Sequence, residues 1–358
     1  MRMKINQEGE IVFWGALYSM MNKFLAEDLE VMAGVDSFCY QNCLRIVMKL
    51  QAIDYSELYL NATLSVKYDL HERMIRPGTN IRTLFPEESR YVHRVTYEEE
   101  VDPMVIFREN IKYIQDHDSP MIVGVDTFYL PYASNVGKNH AKHTAILCGW
   151  DEKSQKVYLI DWYPPWFFKG SVDLKDFLLA RSSKNEDDGS IYSGNKIGNN
   201  WAVIEGIQPK SKDYLLHELL DSMRREYYRD ADDYYLYGPE AITAMKGVID
   251  ECLSKEQFHS LHREIWFIGK RYRLFSGFLQ NYRDSDLYET VEKILDCVDK
   301  EADEWDRMLM LSTKGCIAPT DRVREKFKNR IDNLLHYDQE LQVFFCNLEK
   351  QIDNKKRG

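Results

Sequence analysis

Two periodicities divide the chain. Up to about Gln208, short apolar runs of strand length are interspersed with helical stretches. From Ser211 onward apolar positions recur every three or four residues, and no convincing strand is found. In the first part, Met121 to Asp126, His143 to Gly149, Val157 to Asp161 and Trp201 to Ile207 read as strands. The polar stretch Asp151-Glu152-Lys153-Ser154-Gln155 makes the middle two a single antiparallel hairpin. Leu44, Val47 and Met48 recur at helical spacing after the candidate N-caps Asp36 and Ser37, which places Cys39 in the first turn of a helix. In the second part, helices start at Pro239 after Gly238, at the capping boxes Ser254 to Gln257 and Asp286 to Glu289, and at Thr320 after Pro319. The last of these carries Leu334, Leu335, Leu341, Phe344, Phe345 and Leu348. The expected class is α+β, with a mixed domain over 1–208 and an all-helical domain over 209–358. Between Ser182 and Asn200 the composition is that of a surface loop with freedom to move.

Composition narrows the choice of partners. A length of 358 residues supports two lobes, and a formal net charge of -11 argues against a nucleic-acid surface. The basic stretch Arg322 to Arg330 is diluted by acidic neighbours and reads as a solvated helix face, with a docking patch for an acidic partner as the lesser alternative. Seven scattered cysteines suit free thiols in a reducing compartment. The apolar patches from Ile11 to Leu25 are broken by Asn22 and Lys23, unlike a secretory leader, and no apolar run reaches membrane-spanning length. A soluble, cytoplasmic chain is expected.

The chemistry concentrates on Cys39, His143 and Asp161. Unpaired N–H groups and the dipole at a helix start favour a thiolate at Cys39. A turn centred near Glu152 sets His143 directly opposite Asp161, so that the carboxylate orients the imidazole. A helix-borne thiol beside a strand-borne histidine backed by a carboxylate is the equipment of cysteine acyl transfer. Each residue also has a plainer reading. Cys43, one turn further along, is the alternative thiol; Asp161 alternatively caps the turn that follows it. Cys39, Cys43, His140 and His143 form a loose zinc-ligand set, a minority reading, and no metal is expected. Asp126 leads into an aromatic loop containing Tyr129, where it either lines a substrate cleft or only ends a strand. The backbone N–H of Cys39 and the side chain of Gln41 are candidate oxyanion donors. Trp162, with Trp166, Phe167 and Phe168, is placed to form an acyl or aryl pocket.

With these residues in place, the chain resembles the butirosin-biosynthesis protein H family. The resemblance is carried by Cys39 to Arg45 followed by Tyr55-Ser56-Glu57, then Asp126-Thr127-Phe128-Tyr129-Leu130-Pro131-Tyr132. His140 to His143, Gly149-Trp150-Asp151, Asp161, Ala180-Arg181-Ser182 and Trp201 follow in order. Downstream, Arg273 to Leu279 and Trp305 are similar to the helical domain that accompanies that module. The chain departs from the family at Phe38, where a histidine is usual, and at Trp150, where tyrosine is common. About thirty residues also precede the Cys motif. The resemblance implies a papain-like lobe, a helix on a small antiparallel sheet, related to bacteriocin-processing peptidases. It implies acyl transfer from an acyl or peptidyl carrier protein to an amine on a small molecule in specialised-metabolite assembly, with a nucleophile within the acyl chain itself as the alternative acceptor where the product is cyclic. On that reading Cys39, His143 and Asp161 are catalytic, and Gln41, Asp126, Tyr129 and Trp162 meet substrate. No cofactor is expected beyond the phosphopantetheine carried by the donor. An acidic carrier needs a local basic face, for which Lys138, Lys142 and Lys169 are candidates. Two alternatives stand: a peptidase or amide hydrolase using the same three residues, and a catalytically silent scaffold.

Overall fold

The computed structural model describes residues 4–5, 11–12, 24–25, 38–52, 64–78, 92–97, 101–190, 192–205, 212–251, 254–282 and 287–357. The chain is mixed α and β, with antiparallel sheets and a helical C-terminal region, and it gathers into two compact units. The first includes 38–55 and 86–208; the second includes 56–85 and 209–358.

In the first unit the elements run β1 (Lys4–Ile5), β2 (Ile11–Val12), α1 (Cys39–Leu50), β5 (Val92–Val95), α2 (Pro103–His117), β6 (Met121–Asp126), β7 (Lys142–Asp151), β8 (Lys156–Asp161), β9 (Phe168–Asp173), α3 (Leu174–Ser182) and β10 (Trp201–Ile204). Six of the strands form one antiparallel sheet in the order β5-β10-β6-β7-β8-β9. Strand β6 is buried along its whole length, which explains its unbroken apolar run: both faces of the sheet are covered there. On one face Phe107, Ile111 and Ile114 of α2 and Phe177 and Ala180 of α3 pack on Val123, Val125, Ala145, Leu147 and Leu159. On β7 the alternate residue Thr144 meets α1, whose Cys43 Sγ lies 3.4 Å from the Thr144 carbonyl oxygen.

The hairpin of β7 and β8 carries a register shift. Ile146 pairs with Ile160 and Leu147 with Leu159, but beyond Cys148 the pairs are Gly149 with Tyr158 and Trp150 with Val157. Continuing the first register toward the open end sets Ala145, not His143, across from Asp161. The expected direct opposition is therefore corrected to a diagonal one. His143 stays on the same face as Ala145, within reach of Asp161 two positions along.

The second unit contains β3 (Val66–Asp69), β4 (Met74–Pro77), α4 (Lys212–Glu226), β11 (Tyr235–Tyr237), α5 (Gly238–Asp250), α6 (Lys255–Leu279), α7 (Tyr288–Ile317) and α8 (Asp321–Arg357). The expected capping box at α6 forms: Ser254 Oγ accepts from the Gln257 N–H at 3.3 Å, and Gln257 Oε1 from the Ser254 N–H at 2.7 Å. Asp286 lies outside the described residues, as do Asp36 and Ser37. Two expectations need correction. The unit is not all-helical, because β11 pairs with β3 and β3 with β4. Residues 56–85, assigned by the sequence to the first domain, belong with the second. A three-residue strand is too short to show alternation, and its partner lies far upstream in the chain. No helix among the described residues is long and apolar enough to cross a membrane.

Candidate active site

Helix α1 begins at Cys39, with Phe38 in extended conformation as its N-cap residue. The thiol is half-buried in the first turn, where backbone N–H groups have no intrahelical acceptor. Gln41 Oε1 accepts from the Phe38 N–H at 3.2 Å. The expected oxyanion donor is thus a buried residue whose carbonyl end ties down the helix start. Asn42, which the sequence reading passed over, donates through Nδ2 to the Trp162 carbonyl at 2.9 Å. That bond fastens the segment after β8 to the helix that carries the thiol. Trp162 itself is half-buried beside Phe167, with ring centroids 5.6 Å apart. Its buried indole N–H has no hydrogen-bond acceptor among the described residues.

His143 Nε2–H donates to Asp161 Oδ1 at 2.9 Å, and Tyr132 donates its hydroxyl to Asp161 Oδ2 at 3.0 Å. His143 is 7% exposed and Asp161 1%. With Nε2 committed to the carboxylate, Nδ1 is the nitrogen left for the Cys39 thiol, with which the imidazole is hydrogen-bonded. Burial alone would raise the Cys39 thiol. The charge and hydrogen bond of His143, helped by the Thr144 side chain, outweigh it and leave the thiol below its ordinary value. Burial likewise works against a charged His143, yet Asp161 and Cys39 together push the imidazole up to about 10. Both shifts favour a thiolate facing an imidazolium.

Aromatic rings enclose the pair. Trp166 stands edge-on to His143 at 5.0 Å and Tyr163 lies 5.5 Å from it, while Tyr132 stacks on Phe168 at 3.9 Å. Burial and the neighbouring Asp161 charge hold the Tyr132 phenol well above its usual range, so it remains a donor. Cys43 has the opposite environment to Cys39. Its buried thiol is pushed well up by burial and by the charges of Asp161 and Cys39. Comparison with known proteins adds nothing to this geometry. No protein-family model and no curated protein matches the chain.

Other expected site residues lie elsewhere. Asp126 is 0% exposed and accepts from His140 Nδ1–H at 2.7 Å, Ser183 Oγ–H at 2.6 Å and the Phe128 and Ala141 N–H groups, both at 3.1 Å. Of its two expected readings, the cleft-lining one is corrected: the carboxylate ends β6 and secures the segments around it. Tyr129 packs against the apolar core, edge-on to Phe128 at 5.0 Å. Lys138 and Lys142 reach the backbone carbonyls of Ser134 and Lys196. No group of three or more His, Cys, Asp or Glu among the described residues is arranged to hold a metal. The six cysteines described are free thiols.

The stretch expected to be a mobile loop is closely stitched. Asn185 Nδ2 donates to the carbonyls of Tyr192 and Asn195, and the Gly194 N–H to that of Asn185. Arg181, buried, donates to the carbonyls of Gly124, Asn199 and Asn200. The Ser, Asn and Asp side chains that signal a loop are used here to close turns on one another.

Proposed function

We propose that this chain is a cysteine-dependent acyltransferase with a papain-like first unit, in which Cys39 carries the acyl group as a thioester. The observation that supports this best is the unbroken line of Cys39, His143, Asp161 and Tyr132, with the thiol shifted down and the imidazole shifted up. Cys39 thiolate attacks the carbonyl carbon of a carrier-bound thioester. A new C–S bond forms, and the carbonyl electron pair moves onto oxygen. Collapse of this adduct expels the carrier's thiolate, which takes the proton from His143. An amine then attacks acyl-Cys39 and gives its proton to His143 as the Cys39 thiolate departs, leaving an amide. Asp161 keeps the imidazole in the tautomer and orientation that both half-reactions need.

The donor is proposed to be an acyl group on the phosphopantetheine arm of a carrier protein, and the acceptor a small amine. Both follow from the resemblance to the butirosin-biosynthesis protein H family. The test is intact mass after incubation with acyl-thioester mimics. Wild type and Cys39→Ala are compared with Cys43→Ala. An adduct lost only in Cys39→Ala supports the proposal. No adduct across a broad thioester panel, with wild type and Cys39→Ala alike, overturns it in favour of a binding scaffold.

A further inference from the structure

The end of β8 is held from two directions. Tyr132 donates its hydroxyl to Asp161 from the turn after β6, and Asn42 reaches the next residue from α1. Asn42 Nδ2–H donates at 2.9 Å to the carbonyl of Trp162, whose peptide nitrogen is joined to Asp161. The other end of the amide settles its orientation. Arg45 Nη2–H donates to Asn42 Oδ1 at 2.8 Å, so the oxygen is occupied and the nitrogen is the atom that faces Trp162. Asn42 and Arg45 are both buried. The Asn42 N–H donates to the Phe38 carbonyl at 2.9 Å and closes the first turn of α1, the turn that carries Cys39. One residue therefore fixes the helix start through its main chain and the end of β8 through its side chain.

The segment that begins at Trp162 also covers the imidazole. Tyr163 lies 5.5 Å from the His143 ring and Trp166 stands edge-on to it at 5.0 Å. The Tyr163 carbonyl accepts from the Trp166 N–H at 2.9 Å and the Phe167 N–H at 3.0 Å, which closes a turn. Trp166 Nε1–H donates to Ser134 Oγ at 3.3 Å, so the far end of the segment is tied to the stretch after β6. Its near end is tied to α1 through Asn42.

The thiol and the His143–Asp161 pair come from different elements, and their separation has to be set by something that touches both. Tyr132 fixes the carboxylate, but from the side of β6. Cys43 joins α1 to β7 through an S–H donor at 3.4 Å from the Thr144 carbonyl, which is a weak bond. The Asn42 amide is the stronger strut, within one helical turn of Cys39 and bonded to the peptide unit beside Asp161. A displacement of about 1 Å between reacting groups can cost roughly 100-fold in rate.

Resting on the reading of Cys39 as acyl carrier, we infer that Asn42 is a positioning residue for the reaction: its side-chain amide sets the distance of the His143–Asp161 pair from Cys39. Asn42 touches neither the acyl group nor the proton in transit. Without it the bonds among Tyr132, Asp161 and His143 persist, but the imidazole moves off the sulfur and burial governs the thiol.

The experiment is the pH profile of iodoacetamide alkylation at Cys39 in wild type, Asn42→Ala and Asn42→Gln, with urea unfolding measured alongside. Wild type should titrate below the ordinary thiol value of 9.0. In Asn42→Ala the midpoint should rise, and alkylation and thioester acylation at pH 7 should each slow by about fivefold as thiolate is lost. Asn42→Gln restores the amide on a strut one methylene longer, and its midpoint should lie between the other two. An Asn42→Ala midpoint at the wild-type value overturns the inference even where the urea midpoint falls, because the bond is then structural only. If Asn42→Ala does not fold, Asn42→Gln decides, and a midpoint at the wild-type value overturns the inference. Failure of the underlying reading is a separate result: wild type is then alkylated with a lowered midpoint yet takes no acyl group from any thioester. The alkylation profiles still decide the role of Asn42 in that case.

Discussion

Tyr132 and Asp161 are joined hydroxyl to carboxylate at 3.0 Å, which leaves the other carboxylate oxygen to His143 at 2.9 Å. The tyrosine comes from the turn after β6 and the aspartate from the end of β8, so two elements fix one carboxylate before it orients the imidazole. Tyr132→Phe keeps the ring stacked on Phe168 and removes only this donor. A hydrogen bond to a buried charged group contributes about 1.5–3 kcal/mol, and a loss of that order is expected in urea unfolding. Acyl transfer should fall at the same time. An unchanged unfolding midpoint would show that the bond contributes nothing.

His143 sets the reactivity of Cys39. Without the imidazole the remaining large influence on the thiol is burial, which raises it. In His143→Asn, iodoacetamide alkylation of Cys39 at pH 7 should slow by roughly tenfold or more, since the thiolate is the nucleophile. Peptide mapping should show Cys43 unmodified in wild type at that pH, because its thiol is shifted well upward. Equal labelling of the two cysteines contradicts this.

The pH dependence follows from the same pair. His143 titrates in the fold at about 10, against an ordinary value near 6.5. Its contribution to stability is complete below about 6.5 and is lost as pH rises through 10. Transfer should fall over the same alkaline limb, because His143 must hold a proton for the departing thiol. The acid limb belongs to Cys39 and should lie below the ordinary thiol value of 9.0. A rate still rising at pH 10 and above would show that the imidazolium is not required.

Asp126 ties the segment after α3 to the stretch that leads into β7. Asp126→Ala leaves the His140 Nδ1–H and the Ser183 hydroxyl without their acceptor. Destabilisation of about 2–4 kcal/mol is expected, with faster proteolysis between 183 and 200 in native conditions. Proteolysis at the wild-type rate would separate Asp126 from that segment.

In the second unit, Glu301 and Asp338 sit on the apolar stripes of α7 and α8 and are both buried. Burial pushes Asp338 up to about 7, and burial with the Asp338 charge holds Glu301 well above the carboxylate range. Among the described residues, Tyr227, Tyr228, Tyr272 and Cys297 are titratable groups that interact with them. Acids with raised values bind protons more tightly when folded. Their contribution is therefore most favourable below about pH 4 and is lost as pH rises through 7 and beyond. Glu301→Gln should melt above wild type at pH 8, by about 2–4 °C for each kcal/mol recovered, with a smaller difference at pH 5. A difference independent of pH contradicts the shared burial of the two acids.

Much of the site was legible from local patterns. The helix start at Cys39, the strand β6, the hairpin and the α6 capping box are each encoded within a dozen neighbouring residues. The details that failed depend on contacts distant in the chain. The turn is centred between Lys153 and Ser154 rather than at Glu152, and the extra residue at Cys148 brings the register only one step back toward His143 opposite Asp161; apolar periodicity fixes neither the turn centre nor a bulge. Asp126 read equally well as a cleft residue or a strand end; its four donors come from 128, 140, 141 and 183. The clamp of Asn42 on Trp162 spans 120 positions and has no sequence signature. Glu301 and Asp338 do leave a signal, an acid on the apolar stripe, which the helical reading passed over.

The most direct measurement is a pulse and chase on acyl-Cys39. The protein is acylated with a thioester mimic, freed of excess donor, and exposed to a panel of amines while intact mass is followed. Acyl transfer predicts that the adduct decays faster with a suitable amine and that an amide accumulates at the same rate. Decay indifferent to every amine, with only the free acid released, would contradict transfer and make the protein a hydrolase.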